Sequence, residues 1–142
     1  MIWGGMEILC PHGVLKRADE LKPGDTVLYI HDRHSKPRET KVIRVEKCGL
    51  QQMRQYLIRR DNGYILHWVT CTQDSLIWKK DHGFIRAVSL RIGMEISVFE
   101  FGSYRFGKVI EKSKTLLEGV ARKVITESGQ FIAEFVEMGE AY

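Results

Sequence analysis

Thiols and hydroxyls are the first candidates for chemistry in this chain. Cys71 is followed directly by Thr72, with Ser75 three residues on, and Cys10 precedes His12 by two positions. Gathered in one cleft, Cys10, Cys71, Thr72 and His12 would set a thiol nucleophile beside a hydroxyl and an imidazole, because a thiol attacks only once its proton has been drawn off. A free cysteine in a β protein otherwise behaves as a small buried hydrophobe. Cys10, Cys48 and Cys71 are odd in number and lack a C-x-x-C pair. That pattern predicts three reduced thiols, neither a disulfide framework nor zinc ligands.

Two other side-chain groupings suggest binding. His31 and His34 flank Asp32 in ligand-like fashion, but Arg33, Lys36 and Arg38 surround them. A cation would be repelled there, so no metal site is expected. His67, beside Trp68, reads as a packed or face-exposed ring, and His12 and His82 read as parts of turns. The cations Arg33, Lys36, Arg38, Lys41, Arg44, Arg54, Arg59 and Arg60 are interleaved with Tyr56, Tyr64 and Trp68. Basic side chains alternating with rings could track phosphates and stack bases, which makes a nucleic acid one candidate partner of the 33–68 hairpins. The alternative is a solvated hairpin face with its rings in the core.

These residues need a scaffold, and the composition bounds it. The chain has 142 residues, 44% of them hydrophobic and 28% charged, with a net charge of +4. This is the length of one domain, 1–142, able to bury about 68–70% of its unfolded surface. The apolar content argues against a disordered chain. No apolar run approaches the ~18 residues of a membrane span, and Glu7, His12, Lys16 and Arg17 break any signal-peptide pattern, so a cytoplasmic protein without a membrane partner is expected.

The chain repeats itself. Arg17, Ala18, Leu21, Gly24 and Val27 match Arg86, Ala87, Leu90, Gly93 and Ile96 at an offset of 69 (86 minus 17). A His-Gly pair precedes each copy, and Lys41-Val42-Ile43 matches Lys108-Val109-Ile110. Each unit reads as a His-Gly turn, one helical turn over Arg-Ala-x-x-Leu, a glycine turn and a hairpin. The first hairpin is expected over 26–31 and 39–47, and the second over 95–101 and 108–112 with a loop at 102–107. Residues 53–60 and 64–72 flank Asp61-Asn62-Gly63, a strong hairpin turn. Residues 75–78 form a short strand, and 120–126 pairs with 130–137 around Glu127-Ser128-Gly129. Segment 113–118 is ambiguous between a loop and a helical turn. The fold class is mostly β, in two pseudo-symmetric halves with few short helical turns.

In this frame the chain resembles the Hint family, the module shared by inteins and Hedgehog autoprocessing domains. Gly4, Ile8, Gly13, Leu21, Gly24, Asp25 and Val27 fall on the family's opening motif. Thr72-Gln73-Asp74-Ser75 with Phe84, Ala87, Leu90 and Gly93 follow its central motif. Phe131-Ile132-Ala133 and Val136 follow its terminal one. The resemblance implies a flattened β horseshoe with an internal pseudo-two-fold repeat. It also implies an acyl shift at a first-position Cys or Ser, a histidine that protonates the leaving amide, and an asparagine that cyclises at the far junction.

The catalytic positions depart from that pattern. Met1 stands at the nucleophile position, and a thioether cannot form the ester. Thr72 is kept, but Ser75 replaces the histidine and is a far weaker acid. Gly139-Glu140 replaces His-Asn, and a glutamate has no amide nitrogen to cyclise. The expectation is an intein-like domain that has lost self-splicing, needs no cofactor, and serves as a binding or structural module for a host chain or protein partner. A phage or mobile-element setting is what the family's habit implies. Autoprocessing would return if Met1 replaced a native cysteine.

Overall fold

The long strand that organises the molecule runs from Arg38 to Arg60, where the sequence pattern predicts two strands, 39–47 and 53–60. The computed structural model describes residues 1–60 and 66–140, so the 61–63 turn and Tyr64 lie outside the described residues. In chain order the strands are β1 (Ile2–Trp3), β2 (Glu7–Leu9), β3 (Leu15–Arg17), β4 (Thr26–Tyr29), β5 (Arg38–Arg60), β6 (Leu66–Cys71) and β7 (Leu76–Lys79). They continue as β8 (Gly83–Arg86), β9 (Glu95–Glu100), β10 (Ser103–Lys112), β11 (Leu117–Thr126), β12 (Gln130–Ala133) and β13 (Val136–Gly139). The helical content among the described residues is three 3₁₀ turns, Pro11–Gly13, Ala18–Glu20 and Ala87–Ser89. The architecture is mostly β with few short helical turns, as the sequence predicts. Among the described residues no helix is long and apolar enough to cross a membrane.

β5 is long because it serves four neighbours. It pairs antiparallel with β4, β6, β10 and β11 along its length. Between Lys47↔Arg122 and Leu50↔Val120 it carries one residue more than β11, a bulge with Gly49 at φ 67°. A left-handed residue is what such a bulge requires, and glycine meets it without a Cβ clash. Opposite this irregularity β11 takes β1 as its other partner, through Ile2↔Arg122 and Trp3↔Ala121.

The repeat is visible bond by bond. Ala18 N–H donates to the Met6 carbonyl and Ala87 N–H to that of Ser75; Gly24 donates to Val42 and Gly93 to Val109. The β2–β3 pairs Glu7↔Arg17 and Ile8↔Lys16 reappear in β7–β8 as Leu76↔Arg86 and Ile77↔Ile85. Ala18 and Ala87 are both fully buried, as are Leu90 and, nearly so, Leu21. The main core holds Tyr56, whose hydroxyl donates to the Ala87 carbonyl at 2.9 Å. A smaller core is formed by Leu9, Ile30, Phe99 and Ile132, with Leu28 and Tyr104 against it.

Three local expectations are corrected, and one ambiguous segment is resolved. Residues 102–107 are not a loop: β10 begins at Ser103, because Phe101 and Gly102, at φ 50° and 73°, make a two-residue turn of the kind that suits strand twist. Residues 130–137 are not one strand but the β12–β13 hairpin, reversed at Glu134 and Phe135, φ 48° and 62°. In consequence 120–126 does not pair with 130–137; β11 lies along β5 and β1, and β12 along β13 and β2. Segment 113–118 has no helical turn, since Ser113 N–H and Oγ are tied to Gln55 and Thr115 across a bend.

Candidate functional site

Three separate pieces of chain meet around Met1. β1 holds residue 1 at the mouth of the 72–75 turn, because Ile2 pairs with Cys71 on one side and Arg122 on the other. β13 brings Gly139 beside Leu76, and Glu140 follows it. The family positions Met1, Thr72, Ser75, Gly139 and Glu140 are thus brought together.

The hydrogen bonds can be accounted for proton by proton. The Met1 ammonium donates to Thr72 Oγ1 and to Ser75 Oγ, each at 3.1 Å, and forms an ion pair with Glu140, whose Oε2 lies 2.8 Å away. The Met1 carbonyl accepts from Thr72 N–H at 2.9 Å and from the Ser75 hydroxyl at 2.7 Å. Thr72 has one hydroxyl proton and its shortest acceptor is Asp74 Oδ1, at 2.6 Å. That bond from the Thr72 hydroxyl, more than any other influence, holds the Asp74 carboxyl below its usual range. Asp74 is the functional-site residue that sequence reading missed. Its signal was there, two residues after a threonine whose hydroxyl needs an acceptor.

This arrangement binds backbone and charge, and the hydroxyls in it are those of Thr72 and Ser75. The Met1 side chain carries none. Cys71 is wholly buried, and desolvation pushes its thiol up to about 12, well clear of the thiolate range at neutral pH. Cys10 is also buried and its thiol raised by desolvation; it faces Lys16 and Asp25, whereas Cys71 faces Ser75, Asp74 and Glu140. Gly139 is closely surrounded, since a Cβ built there would lie 3.2 Å from the Gly129 carbonyl oxygen.

The cations of the 33–68 region have several different employments. Arg33 pairs with the buried Glu137 at 3.3 Å and lies over the rings of Phe106, Trp78 and Tyr104. Arg44 pairs with Glu46 at 2.7 Å, Lys41 donates to Thr26 Oγ1, and Arg54 to the Ser113 carbonyl. Arg60 is nearly buried, while Lys36, Arg38 and Arg59 are exposed. Of the interleaved rings, Tyr56 is wholly buried and offers no face to a base, whereas Trp68 is 47% exposed. His67 packs on Phe135. Asp32, beside the candidate ligands His31 and His34, accepts instead from His34 N–H and Ser35 Oγ.

No protein-family model matches the sequence, and no curated protein sequence matches it. Solved structures do. The chain is similar over 99% of its length to the DnaB intein from Synechocystis sp. PCC 6803, covering 98% of that chain at TM-score 0.81 and 16% identity. It is similar over 98% to the DnaX mini intein from Spirulina platensis, covering 98% of that chain at TM-score 0.75 and 19% identity. Over 98% it is similar to the gp41-1 intein, covering 97% of that chain at TM-score 0.68 and 18% identity. With its internal repeat and the meeting of residues 1 and 140 at the 72–75 turn, this protein has the Hint fold of the inteins.

Proposed function

We propose that this intein-fold domain is silent in splicing and serves as a binding or structural module. The observation that carries the reading is the identity of the side chains brought together at the 72–75 turn, Met1, Thr72, Ser75 and Glu140. Where an acyl shift needs a nucleophile and an acid, this site has a thioether and hydroxyls, and where cyclisation needs an amide it has a carboxylate. β1, paired through Ile2 with Cys71, and β13, paired through Gly139 with Leu76, hold residues 1 and 140 side by side. A host chain arriving at one and leaving at the other would do so at a single point, with the domain folded between.

The test is a fusion with short reporter peptides before Met1 and after Tyr142, followed by mass spectrometry with and without added thiol. The intact fusion is the expected product. Thiol-dependent release of the leading peptide, or a ligated pair of reporters, would overturn the proposal.

A further inference from the structure

One side chain does most to tie down the 31–37 segment that joins β4 to β5. Arg33 reaches from it into a socket walled by rings of β7 and β10. Its guanidinium carbon lies 4.5 Å from the centre of the Phe106 ring, 5.2 Å from that of Trp78 and 5.6 Å from that of Tyr104. Trp78 and Phe106 are themselves near-parallel, 23° apart. The end of the socket is polar and buried. Arg33 Nη1 donates to the Ser97 hydroxyl and, at 3.3 Å, to Glu137 Oε1, while Ser97 Oγ donates to that same oxygen at 2.6 Å. Arg33 Nη2 donates to the Arg105 carbonyl at 3.4 Å. Ser97 is 0% and Glu137 3% exposed. Lys80, 5.1 Å from the Phe106 ring, pairs instead with Glu95 at 3.6 Å. Among the described residues the segment's other hydrogen bond to a strand runs from the Tyr104 hydroxyl to the Ser35 carbonyl.

These are the parts of a cation receptor. Ring faces attract a positive charge, a buried carboxylate supplies the counter-charge, and a hydroxyl and a carbonyl accept from separate nitrogens. A planar fork of N–H donors meets all of them at once, whereas an ammonium is a point charge without that shape. We infer that the socket is a guanidinium-binding site filled by the chain's own Arg33, which thereby latches the 31–37 strap onto β9 and β10. Emptied of Arg33, the socket takes up a free guanidinium and the strap comes loose. Burial favours a filled socket, because Glu137 without its cation is an uncompensated charge out of water. The inference does not depend on the reading of the 72–75 turn, and the splicing assay has no bearing on it.

The probe is methylguanidinium, titrated into the nitrogen-15-labelled chain at up to about 50 mM, far below the molar denaturing range. In Arg33→Ala the 33–36 amides should lose order, read as a fall in their heteronuclear NOE. That variant should bind methylguanidinium saturably, with shifts at the Trp78 indole and at the Ser97, Phe106 and Glu137 amides. The strap should stay loose, because the added cation is not tethered to it. The parent chain should respond at least about tenfold more weakly, since Arg33 competes at the effective concentration of a short tether. Methylammonium should bind the variant at least about tenfold more weakly than methylguanidinium, and Arg33→Lys should leave the strap less ordered than in the parent. An Arg33→Ala chain that fails to fold should regain its folded spectrum with methylguanidinium. The proposal is overturned if strap order is unchanged in Arg33→Ala or Arg33→Lys, or if methylammonium binds as well. It is equally overturned if parent and variant respond alike, or if methylguanidinium neither shifts the socket nor restores the fold.

Discussion

Ile2 pairs with Cys71, and the offset of 69 between them (71 minus 2) is the same step that carries Ala18 onto Ala87 and Glu7 onto Leu76. An antiparallel pair whose two members are each other's repeat partners must lie at the symmetry axis. The candidate site is therefore built where the two halves meet, and Cys71 is shut in by both.

The thiols should reveal this burial. In the native chain iodoacetamide at mildly alkaline pH is expected to modify half-buried Cys48 first, leaving Cys10 and Cys71 protected until unfolding. Peptide mapping of the alkylated chain reads the order. A second readout is alkaline stability. A thiol that keeps its proton longer in the folded than in the unfolded chain contributes nothing below its ordinary value near 9, and costs stability as pH rises from there toward 12. Urea melts of Cys71→Ser across that window should show a shallower fall than the parent chain.

Charge closure at Met1 should be measurable by removing one partner. Glu140 keeps little exposure, so Glu140→Ala takes the carboxylate from beside the Met1 nitrogen and should cost about 1–2 kcal/mol in chemical denaturation. N-terminal acetylation should cost a similar amount, because a neutral amide leaves the carboxylate without its cation. If the two changes are combined, the cost should be well short of the sum, which is the signature of a shared interaction.

Installing the family's residues at these positions should succeed unevenly. Met1→Cys with Ser75→His, in a chain carrying a leading reporter peptide, is expected to give thiol-dependent release of that peptide. Thr72 N–H and the tight turn to residue 75 are already in place. Gly139→His should instead destabilise the fold, since even a Cβ there stands 3.2 Å from the Gly129 carbonyl oxygen. Mass spectrometry and thermal melts separate the two effects.

Glu137 makes an acid-side prediction. Burial raises its carboxyl above the ordinary value of 4.5, while the Ser97 hydroxyl and Arg33 pull it back. A carboxyl that binds its proton more tightly when folded costs nothing below pH 4.5 and costs stability as pH rises through its folded value. Relative to the parent, Glu137→Gln should therefore gain stability as pH rises through that window, whatever offset the lost ion pair adds. Urea midpoints taken from about pH 4 to neutrality test the slope.

Core packing gives a last pair of variants. Tyr56→Phe leaves the Ala87 carbonyl without its hydroxyl donor and should cost about 1–2 kcal/mol. Gly107→Ala should cost about 1–3 kcal/mol, because its Cβ would stand 2.8 Å from Ile58 Cγ2 and 3.2 Å from the Arg59 carbonyl oxygen.

Much of this was legible before any coordinates. Arg-Ala-x-x-Leu followed by glycine encodes a 3₁₀ turn and its exit, and two copies at one offset announce the symmetry. Strand pairing was less legible, because a ladder partner is chosen by the whole sheet. The turn at Glu134-Phe135 illustrates the limit. Neither residue favours positive φ, and the conformation is held by distant groups: Glu134 exchanges hydrogen bonds with Glu7, and the Phe135 carbonyl accepts from Phe99 N–H. The bulge at Gly49 was hidden for the same reason. At the site, residue identity showed Met1, Ser75 and Glu140 departing from the family's motifs, but the convergence of residues 1, 72, 75 and 140 is a product of tertiary structure.

The insertion of β1 between β6 and β11 bears on how the chain is made. Ile2 leaves the ribosome before either Cys71 or Arg122, so the earliest strand waits until its second partner has been synthesised. Until then β1 has one edge without its partner, open to other chains. Contacts so distant in sequence form slowly. Aggregation during synthesis, more than the stability of the finished sheet, is thus the hazard this topology carries, and slowing translation upstream of residue 122 should aggravate it.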